Sequence, residues 1–117
     1  MATSSVTIYH NPRCSKSRKT LALLQEQGIE PTVVDYLKNP PDKRELEAIT
    51  RKLGVKPEQI VRRGEATFKE HFAGKALNDD EWLGALAEYP ILIERPIVVK
   101  GDRAVIGRPP ENVIDLV

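Results

Sequence analysis

A chain of 117 residues, 40% hydrophobic and 30% charged, has the length and composition of one soluble domain with a single modest core. A net charge of +1 without long runs of one sign excludes bulk attraction for nucleic acid, and no segment approaches the ~18 apolar residues that span a bilayer. One cysteine excludes an internal disulfide and a cysteine-rich zinc site.

Met1-Ala2-Thr3-Ser4-Ser5 lacks the basic and apolar stretches of a secretory signal and reads as frayed, so a reducing, cytoplasmic setting is expected. Val6-Thr7-Ile8-Tyr9 then reads as a short buried strand. Pro12 breaks it, having no N–H and disfavouring α geometry at Asn11. A helix is expected from Cys14 or Ser15 to Gln27, with Leu21 and Leu24 on one face beside Ser17, and Gly28 as its terminator. Thr32-Val33-Val34-Asp35-Tyr36, rich in β-branched residues, is the second strand. The crossover between the two strands implies parallel pairing.

Asn39-Pro40-Pro41-Asp42 opens a second helix, with proline in its first turn, Leu46, Ile49 and Leu53 as its stripe, and Gly54 at its end. Short helical pieces are expected over Pro57–Arg62 and Phe68–Phe72. Asn78 and Glu81 form a capping box ahead of Trp82, Leu86 and Tyr89, and Pro90 closes that helix. Ile97–Lys100, the turn Gly101-Asp102 and Arg103–Gly107 make a hairpin. Pro109-Pro110-Glu111 starts a last helix carrying Val113, Ile114 and Val117. The order is βαβ, then helices, then ββα, in a single domain over residues 1–117.

Cys14 sits where the first strand hands over to the first helix, at the positive end of the helix dipole and among unpaired amides. Arg13, Lys16 and Arg18 lie within four residues, and all these features favour the thiolate. A lone cysteine is more often an inert buried group. The cationic neighbours favour a functional thiol here, with Lys16 tuning the local field. His71 reads as a surface residue and Trp82 as an apolar anchor.

Three motifs then combine. His10-Asn11-Pro12-x-Cys14-x-x-Ser17-Arg18, Pro90-Ile91-Leu92-Ile93-x-Arg95-Pro96-Ile97-Val98-Val99 and Gly107-Arg108-Pro109 together resemble the ArsC-type, glutaredoxin-coupled arsenate reductase family, and within it the YfgD-like branch. The resemblance covers Val6 to Leu116. It implies an α/β, thioredoxin-like fold (βαβ then ββα, mixed sheet) with a helical segment inserted at about residues 40–90. It also implies that Cys14 attacks arsenic, that His10 helps to keep the thiolate ionised, and that Ser17 offers a hydroxyl near the sulfur. Arg62, Arg95 and Arg108 match the arginines that surround the oxyanion, Arg18 lies beside the helical turn, and Pro96 matches a proline held in cis. Because Arg63 adjoins Arg62, a slip of one residue would exchange them. The run Cys14-Ser15-Lys16-Ser17 differs from the Cys-Gly-Thr-Ser of the best-known members.

Chemistry agrees with these roles, since guanidinium groups offset repulsion between a thiolate and arsenate and match two oxygens at once. The resemblance implies glutathione as co-substrate and glutaredoxin as partner, with no bound cofactor or metal, no nucleic acid and no membrane, in a monomer. With one cysteine the chain cannot form its own disulfide to expel product, so an external thiol is required. Two alternatives remain open from the sequence. One is a glutathione-linked thiol oxidoreductase acting on another substrate. The other is a non-enzymatic Spx-like transcription regulator binding RNA polymerase, although its redox-switch members carry a second cysteine where Ser17 stands.

Overall fold

The computed structural model describes residues 5–117, so the frayed start expected at Met1–Ser4 lies outside the described residues. Two compact units are present: one takes in the described residues up to Asn39 together with Arg95–Val117, the other Pro40–Glu94.

The first unit is built on a four-stranded sheet of order β2-β1-β3-β4, from β1 (Val6–His10), β2 (Thr32–Asp35), β3 (Ile97–Lys100) and β4 (Arg103–Ile106). Helix α1 (Ser15–Glu26) is the crossover between β1 and β2, which pair in parallel with Ile8 opposite Val33. β3 inserts antiparallel on the other side of β1, Ile8 opposite Val98, and β4 follows through the Gly101-Asp102 turn. The sheet is therefore mixed and the arrangement is thioredoxin-like.

Ile8 and Val98 in the two central strands are fully buried, packed with Val6, Leu24 of α1, Val113 and Leu116 in one apolar cluster. The buried face of α1 is Ser17, Thr20 and Leu24; Leu21 and Leu23 are only partly covered. Two expectations are corrected here. Tyr36 lies outside β2, although its ring is buried. The helix expected after Pro109 is a single 3₁₀ turn, Pro110–Val113, since two prolines remove consecutive donors. Arg103 donates to the carbonyls of Asp115 and Leu116 and so fastens the chain end to β4.

The second unit is helical: α2 (Lys43–Leu53), α3 (Ala66–His71) and α4 (Asp79–Glu88), with 3₁₀ turns at Pro57–Ile60 and Pro90–Leu92. Pro41 precedes the helix rather than entering its first turn, because Asp42 is the N-cap and accepts from the Glu45 N–H at 2.8 Å. Asn78 and Glu81 form the reciprocal capping box of α4. Trp82 stacks on Phe68, with centroids 6.2 Å apart, and anchors the interior of this unit. His71 is exposed and lies against Tyr89. A bridge between Val61 and Ile93 adds extended pairing to a segment read as wholly helical.

No helix among the described residues is long and apolar enough to cross a membrane. Leu24→Ala removes a fully buried side chain from beneath the sheet and is expected to cost about 2–5 kcal/mol of unfolding free energy in urea titration.

Candidate active site

Cys14 is the N-cap of α1, with extended backbone (φ −93°, ψ 122°) and its carbonyl accepting the first helical bond from Arg18 N–H at 3.0 Å. Its own N–H donates to Asn11 O at 3.0 Å, and Arg13 N–H donates to Asn11 Oδ1 at 2.9 Å. The Asn11-Pro12-Arg13 turn thus leaves β1 and delivers the half-buried thiol to the head of the helix, where the next amides have no helical carbonyl to meet.

Ser17, one turn on, points inward and is fully buried. Its Oγ accepts from Asn11 N–H at 3.0 Å and lies 2.6 Å from His10 Nδ1. A serine oxygen can accept twice, so the short contact is made either by Ser17 O–H donating to an unprotonated Nδ1 or by Nδ1–H donating to Oγ. Burial pushes His10 below the ordinary histidine value of 6.5; Asp35 pulls it upward and Arg18 pushes it further down. A neutral imidazole can make this bond in either tautomer. Histidine, serine and turn amide form one satisfied network beneath the thiol.

The charge beside the sulfur comes from the far end of the chain. Arg108 Nη2 lies 3.9 Å from Cys14 Sγ, while Arg108 Nε donates to Arg95 O at 2.8 Å and fixes the plane of the fork. The turn carrying Arg108 is itself bonded: Arg108 N–H to Ile106 O at 2.9 Å, and Asn112 Nδ2 to the carbonyls of Arg108 (3.1 Å) and Ile106 (3.2 Å). The Arg95–Pro96 and Arg108–Pro109 bonds are both cis. Arg95 is half-buried, and its carbonyl serves Arg108. Arg18 is exposed and donates from Nη1 to Pro12 O at 2.8 Å, bracing the turn ahead of the thiol.

The structure therefore brings together His10, Cys14, Ser17, Arg18, Arg95, Pro96 and Arg108 within the sheet unit. Arg62 belongs to the helical unit, where Nη1 meets Glu65 at 3.0 Å and Nε lies 3.9 Å from Glu94. Its neighbour Arg63 is more exposed, 3.6 Å from Glu58 and over the Phe68 ring. Three residues escaped the sequence reading: Asn11 as the bonding hub of the turn, Asn112 as the brace of the Arg108 turn, and Thr20 as part of the buried face of α1. The i, i+3 spacing of Ser17 and Thr20 was the available signal for the last.

The ArsC family model matches residues 9–116. The chain is 48% identical to an arsenate reductase of Rhizobium meliloti strain 1021, covering 96% of this chain and 81% of that one. It is 46% identical to the protein YfgD of Escherichia coli strain K12, covering 98% of each. Among solved structures, an arsenate reductase from Vibrio cholerae superposes with a TM-score of 0.94 at 47% identity, over 99% of this chain and all of the other.

Because His10 is held neutral in the fold, its contribution to stability is complete above its unfolded value of 6.5. That contribution is lost as pH falls from 6.5 toward the lower folded value, and is level below it. His10→Asn keeps an acceptor near Nδ1 but does not titrate. Urea titrations between about pH 7.5 and pH 5.5 are expected to show wild type losing more stability than the variant.

Proposed function

This chain belongs to the ArsC family, and on that premise we propose that it is an arsenate reductase whose nucleophile is the Cys14 thiolate. One observation carries the reading: an arginine fork, fixed through its Nε, holds Nη2 3.9 Å from a sulfur at the head of a helix. A thiolate and an arsenate oxyanion repel. A guanidinium whose plane is already set can offset that repulsion and donate to arsenate oxygens without first being ordered. Arg95, whose carbonyl orients Arg108, is the second guanidinium of this reading, and the free amides at the start of α1 add further donors.

In this scheme the Cys14 sulfur displaces one arsenate oxygen as water and forms an S–As(V) bond. Glutathione thiolate then attacks the Cys14 sulfur. The S–As pair passes to arsenic, arsenite leaves, and a Cys14–glutathione mixed disulfide remains. Glutaredoxin takes the glutathione from Cys14 and regenerates the thiol. The sum is one arsenate and two thiols giving one arsenite, one disulfide and one water. The single cysteine of the chain supports an external donor. His10 and Ser17 act in this scheme by holding the turn that presents the thiol. The reading places the activity in a cytoplasmic monomer, where thiols are kept reduced.

Purified protein with glutathione, glutaredoxin and NADPH-linked recycling is expected to consume NADPH on addition of arsenate. Cys14→Ser is expected to abolish that consumption while keeping the wild-type unfolding midpoint. Absence of arsenate-dependent NADPH loss in the wild type overturns the assignment, and turnover of a mixed disulfide in the same mixture would point instead to a thiol oxidoreductase with another substrate.

A further inference from the structure

Gly107 stands between the end of β4 and Arg108 and is buried. Its N–H donates to Pro96 O at 2.9 Å, extending the hairpin ladder by one more pair. A Cβ built on it would lie 2.6 Å from Thr20 Oγ1, 3.0 Å from Thr20 Cγ2 and 2.9 Å from Pro96 Cγ. These are distances that carbon atoms do not tolerate without movement. The requirement is for room; its backbone is not in the left-handed region that favours glycine. Thr20 cannot easily turn away. It is fully buried, and its Oγ1 donates to Lys16 O at 2.8 Å within α1, so the methyl and hydroxyl are both fixed against Gly107.

The consequence runs one residue further. The backbone of Arg108 follows directly from the point of contact, and its side chain must meet Arg95 O and Cys14 Sγ together. Helix α1 carries both the contact wall, at Thr20, and the thiol, at its N-cap. The separation between Gly107 and Thr20 therefore sets the separation between Arg108 and Cys14.

We infer that Gly107 is a positioning residue: its lack of a side chain lets the β4 end seat directly on Thr20 and Pro96, and that seating places the Arg108 guanidinium against the Cys14 sulfur. The inference rests on the proposed role of Arg108 beside the thiol and does not require that arsenate be the substrate.

The test is alkylation of Cys14 by two reagents of the same size, neutral iodoacetamide and anionic iodoacetate. A cation beside the sulfur favours the anionic reagent, so the ratio of the two rates reports where Arg108 sits, whatever the substrate. Gly107→Ala is expected to lower the iodoacetate-to-iodoacetamide ratio toward that of Arg108→Ala. Its arsenate kcat/KM is expected to fall about tenfold or more, given that misplacement by about 1 Å can cost 10²-fold.

Thr20→Ala added to Gly107→Ala removes two of the three clashing atoms and is expected to restore much of the ratio. Circular dichroism and the unfolding midpoint identify variants that fold. If folded Gly107→Ala keeps the wild-type ratio, or if the double variant is no closer to wild type than the single, the inference is overturned. If Gly107→Ala alone does not fold, the double variant decides: a folded double variant with a restored ratio supports the inference, and one with the ratio of Arg108→Ala overturns it. A wild type inactive toward arsenate but showing these ratio changes would remove the substrate assignment and leave the positioning role standing.

Discussion

The approach of Arg108 to Cys14 is the constraint on which the candidate site depends. The two residues are 94 apart in sequence, yet Nη2 and Sγ are 3.9 Å apart. Closing a loop of that length costs entropy that the polar contact alone does not return. The sheet order supplies what is missing. β3 pairs beside β1 at the centre, so Ile97 and Ile8 bury their side chains completely and the hairpin that follows must end level with the strand–helix junction. Arg108 arrives at the thiol because apolar registers, Ile8 opposite Val98 and Val98 opposite Val105, bring it there. The hydrophobic core does the folding, and the charged contact is placed by it.

Beneath the thiol the problem is polar satisfaction. A turn that leaves a buried strand and immediately starts a helix creates amides without partners. Asn11, almost fully buried, meets most of this demand: its carbonyl takes the Cys14 N–H, its side-chain oxygen takes the Arg13 N–H, and its own N–H goes to Ser17. Ser17 Oγ in turn lies 2.6 Å from His10 Nδ1, and the chain of bonds ends on a ring whose charging burial disfavours. In a protonated His10 both ring nitrogens are donors, so the serine oxygen would face two donors and its own proton would need another acceptor. The buried side of the turn thus contributes bonds among uncharged groups, while the guanidinium nearest the sulfur is brought by Arg108 from the far end of the chain.

Much of this was legible in the sequence, and what was not follows a pattern. The β1 and β3 runs, the Gly101-Asp102 turn, and the Asn78–Glu81 box were readable because each is a local signal with a local cause. The end of the chain was misread since Val113 and Val117 suit a helix in spacing, whereas the prolines at 109 and 110 and the packing of Val113 and Leu116 favour a tight 3₁₀ turn. Asp42 took the cap from the prolines because a carboxylate oxygen can satisfy the Glu45 amide and a proline ring cannot. The contact between Thr20 and Gly107 was hidden for a different reason. The i, i+3 spacing with Ser17 can place Thr20 on the buried face of α1, and Gly107 stands in a motif, but no spacing within either segment encodes that the two meet. Similarly, residue type shows that Arg62 is cationic but not that Glu65 and Glu94 hold it.

The fourth position of the Cys-x-x-Ser run shows how fold and chemistry constrain each other. A resolving thiol at residue 17 would have to reach the sulfur of Cys14 and also leave the interior to be reduced afterwards. The side chain found there does neither: it is fully buried and committed to His10 on one side and the Asn11 amide on the other. A cysteine in its place would be a weak partner for the imidazole and a weak acceptor for the amide, so both bonds that residue 17 gives the turn presenting Cys14 would weaken. A serine at this position therefore gives up an internal reductant and gains a fixed nucleophile. The chain has no other cysteine, so a disulfide at Cys14 can form only with a thiol from outside the chain, and the half-exposed sulfur is open to one.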